Sequence, residues 1–220
     1  GCRLAFGETR RFRHNDMDHL ERVLAGLPDE AGRLIVVDGV FSMGGDIAPL
    51  PEIVALAEKY GTRVMVDDAH AIGVLGGGRG TAAHFGLTEH VDLTMGTFSK
   101  SFASLGGFIA GSAEVIDYIQ HQARSLIFSA SMPAGSAAAT LAALEIMKAE
   151  PERVERVNAI GERMRTGFRQ LGFNVGNSST PIVPVLVGED TDTFKAWKVL
   201  YEAGVYCNPV ISPAVPPGSG

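Results

Sequence analysis

The stretch VMVDDAHAIG, residues 64–73, decides how this chain is read. An apolar run stops abruptly at Asp67, Asp68, Ala69 and His70. In one reading a buried strand delivers an acidic pair to a magnesium ion, as in a nucleotide hydrolase. In the other, one carboxylate meets a positively charged ring and the histidine stands at the ring's edge. The ten residues fit both, and the rest of the chain has to separate them.

Composition removes several classes first. The 220 residues are 45% hydrophobic and 20% charged, which suits a globular domain with a real core. Net charge is −6, from 25 acidic and 19 basic residues, so nucleic acid and anionic membrane surfaces are poor partners. No apolar run approaches the ~20 residues of a membrane span. Cys2 and Cys207 are the only cysteines, too few for a disulfide framework or a metal cluster, and a reducing cytoplasmic setting is expected. The chain opens at Gly1 without methionine and closes on the turn-rich SPAVPPGSG, so it reads as truncated at both ends.

Strand and helix patterns alternate on either side of the deciding stretch. RLIVVDGVF (33–41) predicts a buried strand running into a loop, and PLPEIVALAEKYG (49–61) a helix with proline at its start and glycine as its stop. RVMVDD, VDLTMGTF and GGFIAG (106–111) predict three more strands. SAEVIDYIQHQARSL and the alanine-rich AGSAAATLAALEIMKAE predict helices, the second with closely packed neighbours. The alternation indicates an α/β fold with a largely parallel sheet, in which ligands sit at the carboxyl ends of strands. After Glu150 the texture changes. A charged amphipathic helix (151–172), a proline-containing edge strand TPIVPVLV (180–187), a helix and a last strand VYCNPV (205–210) suggest a smaller second α/β unit. The expected division is 1–155 and 156–220.

A nucleotide hydrolase needs a glycine-rich loop ending in Lys-Ser/Thr, and no G-x-x-x-x-G-K occurs. GRGTAA (78–83) mimics a dinucleotide fingerprint but does not open from a strand. Downstream, Lys100 closes TMGTFSK, 100 − 67 = 33 residues after Asp67, about one strand–helix–strand excursion. A lysine just beyond one strand end, near an aspartate at another, suits a Schiff base with an aldehyde cofactor. Pyridoxal 5′-phosphate asks for four partners: an amine for its aldehyde, a carboxylate for its ring nitrogen, a donor for its phenolic oxygen, and donors for its phosphate. Lys100, Asp67, His70 and Thr97 meet these in order. Taken singly, each has a plainer role as a solvated lysine, a turn cap, a surface histidine or a turn hydroxyl. Their common position at successive strand ends favours the joint reading. In HNDMDHL, Asn15 or Asp16 suits a helix cap, which leaves His14 structural. Arg79 is expected to pair with a carboxylate, and Trp197 to lie in a core or an interface.

DGVFSMGGDIAPL, VMVDDAHAIGVLGGGRG and TMGTFSKSFASLGGFIAG together resemble the α-oxoamine synthases, within the fold type I class of pyridoxal-phosphate enzymes. The resemblance runs along essentially the whole chain. It implies that Lys100 is the Schiff-base lysine, that Asp67 pairs with the ring nitrogen and that His70 bonds the phenolic oxygen. It further implies that Ser42 lies beside the cofactor and Thr97 touches its phosphate. FSASMP (128–133) resembles a segment reaching the neighbouring subunit's phosphate through Ser129 or Ser131, which implies a homodimer. The ring-stacking residue and the arginine that grips the substrate carboxylate fall outside this chain. The implied activity joins glycine, serine or alanine to an acyl-CoA with loss of carbon dioxide, giving an α-amino ketone. An aminotransferase of the same fold is the alternative, and a silent partner subunit would have no need of Lys100.

Overall fold

Two short strands of alternating burial build the centre of the molecule. β1 (Leu34–Asp38) turns Ile35 and Val37 inward, and β2 (Arg63–Asp67) does the same with Val64 and Val66. The branched side chains suit a pleated surface covered on one side. In the computed structural model, which describes residues 2–28 and 30–220, these strands pair in parallel from Leu34↔Arg63 to Asp38↔Asp67. β3 (Leu93–Thr97) adds in parallel to β2, and β4 (Gly107–Gly111) returns antiparallel to β3, giving the order β1-β2-β3-β4. The sheet is therefore largely parallel, as the alternation predicts. Gly96 faces Phe108 across the β3–β4 pair, at a point where a Cβ would run into the phenyl ring.

β1 and β2 are sealed on one face by two helices. α1 (Met17–Ala25) starts where the Asp16 carboxylate accepts a hydrogen bond from the His19 amide at 2.7 Å, so Asp16 is the cap that the sequence offers. α2 (Leu50–Lys59) buries Leu50, Ile53, Val54 and Ala57 on a single stripe and is followed by Gly61 at φ +60°. These side chains, with Leu20 and Leu24, close the core over Ile35, Val37, Val64 and Val66. Each Leu, Ile or Val side chain removed from water contributes roughly 1.5–3 kcal/mol. The opposite face stays open, with Leu34, Val36 and Ile109 all exposed.

Between β2 and β3, α3 (Thr81–His84) follows the glycine-rich loop, and past β4, α4 (Ala113–Gln122) stops at Ala123 before the single turn of α5 (Arg124–Ile127). The one long helix expected over 112–126 is thus two. α6 (Ala134–Ala149) forms as expected, with none of its residues fully buried. α7 (Glu152–Gln170) and α8 (Asp190–Glu202) follow, with Trp197 partly covered and stacked on Tyr201 at 5.6 Å. Two expected strands do not form. TPIVPVLV and VYCNPV carry no ladder. Pro181, Pro184 and Pro209 each lack an amide donor, and isolated bonds such as Leu186 N to the Asn174 carbonyl take the ladder's place. No helix among the described residues is long and apolar enough to cross a membrane.

Candidate functional site

The carboxyl ends of β1, β2 and β3 form one rim. Asp38 and Asp67 are register partners there, and Asp67 is also paired with Met95, two residues short of Thr97. Neighbouring strands lie ~4.8 Å apart, so these side chains share a small neighbourhood. Asp67 ends its strand in a side-chain turn: its Oδ1 accepts from the Ala69 amide at 3.0 Å. The Asp68 carbonyl then accepts from Ala71 and Ile72, a tight turn that lifts His70 onto the rim.

Asp68 goes the other way. It is fully buried, and its Oδ2 accepts from the Thr81 amide at 2.9 Å, which anchors the start of α3. Its Oδ1 and the Thr81 hydroxyl converge on Gly39, where a Cβ would collide with both. Burial pushes the Asp68 carboxyl above its ordinary range, with the Asp67 charge adding and the approach of Thr81 counteracting. The acidic pair is therefore no joint metal clamp, because its members point to different sides of the sheet end.

Lys100 arrives on the loop between β3 and β4. The Phe98 amide donates to the Gly106 carbonyl at 2.9 Å, Ser104 N donates to Phe98 O at 2.8 Å, and Ala103 N donates to Lys100 O at 2.9 Å. Phe98 packs edge-on against Phe102, which is buried, so the loop has an aromatic base. The Lys100 side chain is exposed and forms no ion pair or hydrogen bond among the described residues. It still acts on its neighbours electrostatically. Burial pushes the His70 imidazole below its ordinary value, the Lys100 charge pushes it further down, and Asp67 pulls back. Desolvation and the Asp67 charge push the Asp38 carboxyl up, against the pull of Lys100, even though one edge of Asp38 stays in solvent. Asp67, His70 and Lys100 are thus brought together, and Asp38 joins them. Nothing in the sequence pattern singled out Asp38. The strand register is the signal that finds it.

Ser42 lies four residues beyond β1 in a loop pinned from two sides. His14 Nε2 and Asn15 Nδ2 meet Asp46 Oδ2 at 2.7 and 2.9 Å, and Thr180 Oγ1 donates to the Gly45 carbonyl at 2.8 Å. His14 thus braces this loop through Asp46. Val40, Ala71 and Leu75 form a small buried cluster under both this loop and the His70 turn, and Asn158 of α7 donates to the Val74 carbonyl at 2.8 Å. Thr97 is already engaged: its hydroxyl donates to Gly106 O at 3.1 Å and lies 2.9 Å from Ser99 Oγ. Contrary to expectation, Arg79 pairs with no carboxylate among the described residues. It is exposed, and its Nε donates to the Gly76 carbonyl at 3.4 Å.

The family model described as aminotransferase class I and II matches residues 1–220. The chain belongs to that family. It is 52% identical over 217 residues to a serine palmitoyltransferase of Sphingobacterium spiritivorum, a match covering 98% of this chain and 54% of the relative. It is 46% identical to an 8-amino-7-oxononanoate synthase of Alkaliphilus oremlandii, covering 100% of this chain and 56% of that one. Among solved structures, a lysine-to-alanine variant of the S. paucimobilis serine palmitoyltransferase with a bound PLP–myriocin aldimine superposes with a TM-score of 0.95. Identity there is 35%, over 99% of this chain and 56% of that one. The α-oxoamine synthase resemblance and the fold type I class are upheld by these matches. The chain spans about half the length of the curated relatives it matches.

Proposed function

We propose that this chain is part of a pyridoxal 5′-phosphate-dependent C-acyltransferase that condenses glycine, serine or alanine with an acyl-CoA and releases carbon dioxide. The observation that carries this reading is the meeting of Asp67, His70 and Lys100 at the carboxyl ends of β2 and β3, in a chain so similar to enzymes of those names. The donor set fits the cofactor. An amine, a carboxylate and an imidazole converge on an open rim, and the side chains of Lys100, His70 and Ser42 form no hydrogen bonds among the described residues.

When bound, pyridoxal phosphate supplies an electron sink for a carbanion at the amino acid's α-carbon. Lys100 would hold the cofactor's aldehyde carbon through Nζ, and the same amine would accept the amino acid's α-proton. Asp67 would keep the ring nitrogen positively charged. His70, pushed toward its neutral form, would hold the phenolic oxygen through one ring N–H without adding charge. Ser42 would stand beside the ring, and the Thr97 hydroxyl, which donates to the Gly106 carbonyl here, would serve the phosphate. In this reading residues 1–155 belong to the large cofactor-binding domain and 156–220 to the smaller C-terminal one.

A homodimer in the cytoplasm completes the proposal. Phe128 is 83% exposed, and Leu126 and Ile127 are also open to solvent, an apolar patch that a second copy would cover. Ser129 and Ser131 follow directly, and in this reading one or the other serves a neighbour's phosphate. Ser129 now donates to the Ser125 carbonyl.

The test uses full-length protein with glycine, serine and alanine against acetyl-, pimeloyl- and palmitoyl-CoA. Free thiol and carbon dioxide in equal yield from one combination are expected. Amino transfer to a keto acid with no thiol released would make it an aminotransferase instead.

A further inference from the structure

The residue after the lysine is tied to the histidine's loop. Ser101 Oγ donates to the Ile72 carbonyl at 2.7 Å, in a partly buried contact. Immediately beyond Ile72, Gly73 sits at φ +80°, and a Cβ there would lie 2.6 Å from Ser101 Cβ and 2.7 Å from its Oγ. The two loops therefore touch so closely that one side needs glycine and the other a small hydroxyl residue. The same turn carries His70, two residues before Ile72, and Asp67 at its root. A second tether holds the lysine loop from elsewhere: Ser104 Oγ donates to the Ser136 carbonyl at 2.9 Å, at the start of α6.

We propose that Ser101, seated against Gly73, is a positioning residue that sets Lys100 relative to Asp67 and His70. This rests on the cofactor reading above. Lys100 is exposed on a flexible stem, so its placement depends on where its backbone is held. Among the described residues, the Ser101 bond ties the loop to the turn bearing the carboxylate and imidazole, whereas the Ser104 bond ties it to α6. Asp38 and His70 both feel the Lys100 charge and the Asp67 charge. Moving the Lys100 backbone changes the field these groups set at the nitrogen that holds the cofactor, whereas a general loosening of the loop does not do so selectively.

The test compares Ser101→Ala, Gly73→Ala and the control Ser104→Ala in full-length protein loaded with pyridoxal phosphate. Three quantities are read: the pH midpoint of the bound cofactor's absorbance change, kcat and KM for the amino acid, and the melting temperature without cofactor. Ser101→Ala should move the midpoint by about half a pH unit or more and lower kcat about 10-fold, with KM changed little. Gly73→Ala should move the midpoint as well, since it presses on the same contact from the other side. Ser104→Ala also removes one loop hydrogen bond, and should lower the melting temperature comparably while leaving the midpoint in place. Equal midpoints in wild type, Ser101→Ala and Gly73→Ala would overturn the positioning role while leaving the cofactor reading intact. Equal midpoint shifts in Ser101→Ala and Ser104→Ala would also overturn it. Absence of any pH-dependent cofactor band in the wild type would remove both.

Discussion

Asp67 and Asp68 are neighbours in the chain and belong to different worlds. The rim that holds Asp38, Asp67, His70 and Lys100 is open, and its charges act on one another across solvent-accessible space. The floor beneath it, made of Gly39, Asp68, Gly80 and Thr81, is closed, and a Cβ at either glycine would strike the Asp68 carboxylate. Burial on the floor serves to hold the β1 end, the β2 end and α3 together. Exposure on the rim keeps an amine and an imidazole available. Alternation along a strand end explains the contrast, since successive side chains leave on opposite faces.

Breaking the rim should cost activity and little stability. Lys100→Ala in the full-length enzyme is expected to lower turnover by ~10³-fold or more, about 4 kcal/mol of transition-state stabilisation. Its melting temperature without cofactor should match the wild type. Turnover within 10-fold of the wild type would remove Lys100 from the proton transfer. The floor should behave in the opposite way. Gly39→Ala forces a methyl group against Asp68 and Thr81, and a loss of about 3 kcal/mol in denaturant unfolding is expected. A stable Gly39→Ala protein would mean that this close approach is relaxed in solution.

A milder cut removes the floor's anchor alone. Asp68→Ala leaves the buried Thr81 amide without an acceptor, a loss of about 1–3 kcal/mol. Asp67→Ala, by contrast, removes only a turn acceptor on the rim and should cost less than half as much. Equal losses in urea unfolding would erase the distinction between the two aspartates.

The smallest effects are pH slopes of opposite sign. The folded Asp68 carboxyl has a raised proton affinity, so the folded state binds more protons than the unfolded state above about pH 4. Stability from this group falls as pH rises from there through the folded value. His70 is lowered, so the unfolded state binds more protons just below about pH 6.5. Stability from His70 is lost as pH falls from that point towards its folded value. Asp68→Asn should remove the first slope and His70→Gln the second, each visible as the difference between melting-temperature profiles. A His70→Gln profile parallel to the wild type would show that the imidazole is not held near its neutral form.

Much of the rim was legible in residue order. The apolar runs at 34–38 and 63–67 could bury one face only as strands, and a 33-residue interval returns the chain to an adjacent strand end. Asp16 ahead of an amphipathic run marks a helix start for purely local reasons. The sequence by itself therefore determined the largely parallel sheet and the candidacy of Asp67, His70, Thr97 and Lys100, because period, caps and spacing act over short distances.

Tertiary structure decided what depends on partners far apart in the chain. It placed Asp38 beside Asp67 through strand register, and it sent Asp68 to the floor through a bond to Thr81, thirteen residues on. It pinned the Ser42 loop with Thr180, whose bond to Gly45 spans 135 residues. It also denied strands to TPIVPVLV and VYCNPV. A strand exists only when a neighbouring backbone offers matching donors and acceptors, and an alternating or apolar pattern interrupted by proline does not specify that neighbour.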